Sequence, residues 1–214
     1  MYRESKTGLW CREGTLDEYV VKEQSSYKSF FSLMEGKTVV DIGSNIGAFA
    51  YFSKQNGAKE VICFEPDPEN INVWKKQELN AKLIKRAVSN KPGVAKFYIN
   101  NGKNKGMHSL QPIQGRTEIT VKTVDFCEVL KRYTPDLLKI DIEGGEYNLG
   151  LDNIPEFVYG IAIEIHLNHK NNRELGKILI DKLERQFPNI LHKPSITEKN
   201  WATLFIGTRG EYNE

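Results

Sequence analysis

The chain has 214 residues, 39% of them apolar and 27% charged, enough length and apolar content for a real core, which excludes a polypeptide that is disordered as its main state. Lysine and arginine total 30 against 28 acids, a net charge of +2, so bulk charge selects no class of partner. No run approaches the roughly 20 apolar residues of a membrane span. Nor does an apolar stretch follow Met1-Tyr2-Arg3-Glu4-Ser5-Lys6, as a secretory leader requires, so a cytoplasmic location without membrane attachment is expected.

Residues 1–35 carry an amphipathic stretch at 16–34, which predicts a short N-terminal helical cap on a core spanning 36–214, the two forming one domain. Short β-branched runs at 38–42, 61–65, 83–88, 136–142 and 160–165 predict buried strands. Helical patterns fall between or after them at 46–55, 68–80, 125–133 and 171–186, the second opened by Asp67 as N-cap and Pro68 in the first turn. Strands and helices alternating in this way call for right-handed crossovers and a mostly parallel sheet. Two further strands, 95–99 and 118–124, flank a polar loop at 101–106. Segments 189–192 and 201–207 pair around a polar turn at 193–200 as an antiparallel edge.

Residues 79–117 contain no acid, while Lys82, Lys85, Arg86, Lys91, Lys96, Lys103, Lys105 and Arg116 are all basic. Such a stretch is either a solvated face or a surface that attracts an anion. Cys11, Cys63 and Cys127 form no C-x-x-C pair, so neither a disulfide framework nor a cysteine zinc site is expected. Cys63 and Cys127, in an apolar and a helical run, are read as buried thiols.

The most informative segment is Val39-Val40-Asp41-Ile42-Gly43-Ser44-Asn45-Ile46-Gly47-Ala48. A buried strand ends in an acid, turns through two glycines and enters a helix. The spacing is neither that of a pyrophosphate-binding dinucleotide loop nor that of a P-loop. An acid before the first glycine would repel phosphate but suits an ammonium group. The next strand run ends in Glu65, where a carboxylate can accept both hydroxyls of a ribose. An ammonium and a ribose together describe S-adenosylmethionine (SAM).

These residues resemble the FkbM family of class I SAM-dependent methyltransferases. The likeness begins with Gly14-Thr15-Leu16-Asp17 and Glu23…Tyr27, and continues through the glycine turn to Phe64-Glu65-Pro66-Asp67-Pro68-Glu69-Asn70 and Ala87-Val88-Ser89. It ends with Leu138-Lys139-Ile140-Asp141-Ile142-Glu143-Gly144-Gly145-Glu146, so that it covers roughly residues 13–165. The family more often has alanine at Gly145. The resemblance implies a Rossmann-like, doubly wound α/β fold with a seven-stranded, mostly parallel sheet whose last strand is antiparallel. It implies SAM as cofactor, and methyl transfer to a hydroxyl of a sugar or small metabolite. By position, Asp41, Gly43, Ser44, Asn45, Gly47, Glu65, Pro66, Ala87 and Asp141 should line the cofactor site.

A hydroxyl is a poor nucleophile near neutral pH, so a general base is useful. His166 is one candidate for that base, and Glu143 and Glu164 compete with it. An alternative use of Asp141, Glu143 and Glu164 is to hold Mg²⁺ or Ca²⁺, although no metal is assigned. His108 reads as a surface histidine; Tyr27 and Trp10 read as core aromatics that could instead close over a sulfonium. The acceptor expected is a small molecule or carbohydrate, and the basic stretch leaves room for an anionic one. Nucleic acid is disfavoured as a partner, and the sequence does not specify an oligomeric state. An RNA 2′-O-methyltransferase is the alternative that the basic stretch suggests, against which stands the lack of a lysine base at 160–166. A SAM-binding protein without turnover is the other, against which stand the intact Asp41, Gly43, Gly47 and Glu65.

Overall fold

β-Branched and other apolar side chains alternate along the strands, and the two resulting faces each collect helices. The computed structural model describes residues 1–105, 108–112, 115–167, 172–197 and 199–210. Its strands are β1 Tyr2–Glu4, β2 Trp10–Arg12, β3 Thr38–Ile42, β4 Glu60–Phe64, β5 Lys82–Ile84, β6 Ala87–Ser89, β7 Gly93–Ile99, β8 Thr117–Asp125, β9 Leu137–Ile140, β10 Gly160–His166, β11 Asn189–His192 and β12 Ala202–Thr208. Its α-helices are α1 Asp17–Glu23, α2 Lys28–Phe31, α3 Ala48–Gln55, α4 Pro68–Lys76, α5 Phe126–Tyr133 and α6 Asn172–Gln186.

Seven strands form one mixed sheet in the order β11-β12-β10-β9-β3-β4-β5. The pairs β3–β4, β3–β9, β9–β10 and β4–β5 are parallel. β12 runs antiparallel to both β10 and β11. Val40, Ile42, Ile62, Phe64, Leu138 and Ile140 point to the face covered by α5 and α6, through Phe126, Val129, Leu130, Leu179 and Leu183. Val39, Val61, Cys63 and Leu137 point to the other face, against Phe30, Phe31, Phe49 and Trp74. Strand order reverses beside β3, since β4 and β5 lie to one side and β9 and β10 to the other. A crevice therefore opens at the carboxyl ends of β3 and β9, where open sheets of this type bind ligands.

Three local expectations differ. The run 83–88 divides: Arg86 N–H donates to Ile84 O (2.9 Å), turning the chain out of the main sheet. β6 then joins β7 and β8 in a separate three-stranded flap of order β6-β8-β7. The N-terminal segment is not only helical, because β1 and β2 form a hairpin and 16–34 breaks into α1, a 3₁₀ turn and α2. That cap is fixed by Arg12, whose Nε and Nη2 each donate to Asp17 at 2.9 Å. Cys127 is exposed, because α5 directs Phe126, Val129 and Leu130 inward; Cys63 and Cys11 are buried.

Helix ends follow backbone chemistry. Asp67 caps α4 by accepting from Glu69 N–H (3.0 Å), and α4 stops short of residue 80 where Glu78 adopts φ +49°. Among the described residues, no helix is long and apolar enough to cross a membrane.

Candidate active site

The turn after β3 is built on left-handed backbone at Gly43 (φ +82°), Asn45 (+49°) and Gly47 (+89°). A Cβ on Gly43 would overlap the Asp141 carbonyl, and one on Gly47 would lie 2.8 Å from the Trp74 indole. Glycine is required at both by conformation and by space. Gly43 and Ser44 N–H both donate to Phe64 O at 3.0 Å, which docks the turn on the end of β4.

Glu65 ties that turn to the loop after β4. Its Oε2 accepts from Asn45 N–H and its Oε1 from Asp67 N–H, each at 2.8 Å. Burial pushes the Glu65 carboxyl up to about 8, while these two donors favour the ionised form. Ser44 Oγ and Asn45 Oδ1 are buried beside it without a hydrogen-bond partner within the protein. Orphaned polar atoms around a glycine turn fit a polar ligand laid over that turn.

Two cavities meet there. A narrow one is walled by Phe64, Pro66, Ala87, Val88 and Phe97, with Glu65 at its rim, and a larger cleft of about 290 Å³ holds Tyr27, Ser44, Lys139, Glu164 and His166. Gly43, Asn45, Asp141 and Glu143 line both. Apolar walls beside a carboxylate suit a nucleoside, and the polar cleft suits the amino acid end of SAM and an acceptor. Gly47 lies under the turn and lines neither cavity.

Asp41 departs from its expected place. It is fully buried and lines neither cavity; Lys139 Nζ lies 3.2 Å from its Oδ1. The acid at the end of β3 thus faces a lysine rather than a ligand ammonium, because the next strand over, β9, delivers Lys139 directly against it. Burial raises the Asp41 carboxyl and Lys139 opposes the rise.

The acceptor side of the cleft is rich in ionisable groups. β9 ends at Ile140, and Glu143 takes φ +52°, so the chain does not stay extended after Asp141. The turn instead swings Glu143 back, with its Oε2 3.5 Å from His166 Nε2. His166 Nδ1 lies 3.3 Å from Glu146 Oε1, which also accepts the His166 backbone N–H at 2.7 Å. Burial alone would lower the His166 pKa, but Glu146 and Glu143 hold it well above the usual imidazole range. Both ring nitrogens already face carboxylates, Nδ1 towards Glu146 and Nε2 towards Glu143 and Asp141, so the geometry counts against His166 as the base. Glu164 behaves differently: burial, reinforced by Asp141, pushes it up to about 8, with His166 pulling the other way.

Sequence reasoning met Glu146 and Glu23 only as parts of the family likeness and gave neither a role in the site; Glu146 is buried and α1 brings Glu23 to the cleft wall. His108 is not a surface residue. It is 5% exposed, its Nε2 lies 3.0 Å from Asp67 Oδ2, and its Nδ1 accepts from Asn100 N–H (2.9 Å). That acceptor role places the proton on Nε2, facing Asp67, so the flap is pinned to the loop before α4. Tyr27 is buried against the cleft, while Trp10 is exposed rather than in the core and lines neither cavity. Asn168 and His169 lie outside the described residues.

Comparison with known proteins follows the same lines. Among solved structures, the chain is similar to ribosomal protein L11 methylase from Lactobacillus delbrueckii subsp. bulgaricus, at 13% identity over 90% of this chain and 80% of that one, TM-score 0.49. It is similar to an rRNA methylase from Streptococcus thermophilus at 13% identity, over 86% and 94% of the two chains, TM-score 0.49. The C-terminal domain of precorrin-6Y C5,15-methyltransferase from Rhodobacter capsulatus aligns at 11% identity, over 82% of each chain, TM-score 0.46. No curated protein matches. The model of the methyltransferase FkbM domain matches residues 41–189, a span that runs from Asp41 through both cavities to the start of β11. The chain therefore belongs to the FkbM methyltransferase family, and its cofactor is SAM.

Proposed function

We propose that this methyltransferase acts on a hydroxyl of a small or carbohydrate-sized acceptor, with Glu164 as the general base. The observation that carries this reading is the placement of Glu164 in the cleft with its carboxyl raised to about 8. A carboxylate poised near the working pH is a more effective proton acceptor than one at its ordinary value. When bound, SAM supplies a methyl carbon on a positively charged sulfur, which an acceptor oxygen displaces. Glu164 takes the proton that the hydroxyl gives up. Ser44, Asn45 and Glu65 hold the cofactor at the glycine turn, Glu65 through its free lone pairs to the ribose. Tyr27, buried in the cleft lining, helps keep water from it.

The lining also bears on the acceptor. Glu23, Asp141, Glu143 and Glu164 set four carboxyl groups around the cleft against Lys139 and His166. That balance favours a neutral or cationic acceptor over a phosphate-bearing one, and it supports a sugar or polyol rather than RNA. The test is a methyl-transfer screen with labelled SAM against neutral sugars, anionic sugars and RNA. Labelled neutral sugar is the expected product. Labelling of RNA alone would overturn the reading.

A further inference from the structure

We infer that Asp141, Glu143 and His166 form a binding site for one divalent transition cation, with its open positions facing the cleft to take oxygens of the acceptor. The acceptor part rests on the reading above; the cation site does not. One ligand atom from each of the three lies within 4.8 Å of the others. The set joins two carboxylates to one imidazole, a net charge that a dication neutralises when the imidazole is uncharged.

A buried second layer aims the ligands. Glu146 is 1% exposed; its Oε1 faces His166 Nδ1 (3.3 Å) and its Oε2 accepts from Gly144 N–H (2.9 Å). A carboxylate fixed behind Nδ1 holds the hydrogen there and leaves the Nε2 lone pair directed at Asp141 and Glu143, an arrangement common behind metal-bound histidines. Nε2 lies 3.8 Å from Asp141 Oδ1 and 3.5 Å from Glu143 Oε2, both long for hydrogen bonds but suited to an ion between them. Glu143 stands here on left-handed backbone (φ +52°), an uncommon conformation for a residue other than glycine.

The donors select the ion. Ca²⁺ and Mg²⁺ favour oxygen ligands alone, whereas imidazole suits first-row transition ions. Metal–ligand bonds of about 2.1 Å put neighbouring ligands about 3.0–3.4 Å apart, so the 3.8 and 3.5 Å separations from His166 Nε2 need close only slightly. His166 is almost wholly buried, while the Asp141 and Glu143 side chains are 30% and 16% exposed. The ion's free positions therefore open toward the cleft. Two adjacent oxygens of a sugar or polyol could occupy them together. Glu164, an expected oxygen donor, is not part of the group.

Mn²⁺ titrated into the full chain after chelator treatment, followed by electron paramagnetic resonance, tests the site without turnover. The expected result is one Mn²⁺ per chain, with pulsed spectra showing one imidazole nitrogen coupled to it. Glu143→Gln should weaken Mn²⁺ binding at least ~10-fold. Glu146→Gln, which touches no ion, should weaken it by ~10–100-fold through the histidine. A wild-type protein that binds S-adenosylhomocysteine but takes up no Mn²⁺ would overturn the proposal, as would bound Mn²⁺ lacking the nitrogen coupling. The coupling is read on the wild type, so a poorly folding variant does not decide the matter. Mn²⁺ bound with nitrogen coupling but no methylation of any hydroxyl would uphold the cation site and sink the hydroxyl-transfer reading instead.

Discussion

Lys139 Nζ stands 3.2 Å from Asp41 Oδ1 and 3.6 Å from Asp141 Oδ2, and donates to Gly43 O at 2.8 Å. One side chain, 5% exposed, thus joins the acid at the end of β3, the first glycine of the turn and the acid after β9. Its pKa is raised by Asp41 and then Asp141, against burial. Removing one member of such a buried pair strands the other charge, at a cost of about 3–5 kcal/mol, whereas replacing both by apolar groups is often neutral. Asp41→Ala and Lys139→Met should each lower stability by that amount in urea unfolding, and Asp41→Leu with Lys139→Met should recover most of it. If Asp41→Ala unfolds at the wild-type midpoint and loses only S-adenosylhomocysteine binding, Asp41 is a ligand contact after all.

Glu65 carries the ribose end of the proposed cofactor site. Glu65→Gln turns an amide NH₂ toward Asn45 N–H or Asp67 N–H, both now donating to the carboxylate. Loss of charge-assisted hydrogen bonds costs about 1.5–3 kcal/mol, equivalent to a ~10–100-fold weaker affinity. Calorimetric titration with S-adenosylhomocysteine measures it, and an unchanged affinity would remove Glu65 from the site.

Glu164 must be ionised to accept a proton. With its carboxyl raised to about 8, the rate of methyl transfer should climb through pH 7 and level off above pH 8. Glu164→Gln should lose roughly 10²–10⁴-fold in kcat with little change in S-adenosylhomocysteine affinity. A wild-type rate flat from pH 6 to 9 would assign the proton to another group.

Stability without cofactor should fall as pH rises. Glu65 and Glu164 each go from an ordinary value of 4.5 to about 8 in the fold. Between those values the folded chain holds a proton on each that the unfolded chain has released, so the linkage slope is negative. His166, raised by its carboxylate neighbours, adds to the same sign above its ordinary 6.5. The midpoint of thermal unfolding should therefore drop between pH 5 and pH 8, measured by circular dichroism at constant ionic strength. A midpoint that rises over this range would contradict the raised carboxyls.

The main sheet was legible because burial on both faces demands near-continuous apolar runs, and 38–42 and 160–165 carry them. The two glycines announced a turn, since no other residue fits left-handed backbone under a close carbonyl or indole. Asp41 shows where that reasoning stops. Its place at a strand end suggested a ligand contact, but only the parallel pairing of β3 with β9 sets it opposite Lys139. His108 sits in a polar loop whose composition reads as surface, and it is the fold-back of the flap onto the loop before α4 that buries it.

The sequence by itself determined the strands and helices of the central sheet, the glycine turn and the pair of cavity residues, Gly43 and Glu65, because local sterics and hydrophobic periodicity act over a few neighbouring positions. The tertiary structure decided which charges meet. Asp41 with Lys139, His108 with Asp67, and His166 with Glu143 and Glu146 are contacts between segments far apart in the chain or across a turn. Proton affinity depends on such contacts and on burial, and neither is written in the order of the residues.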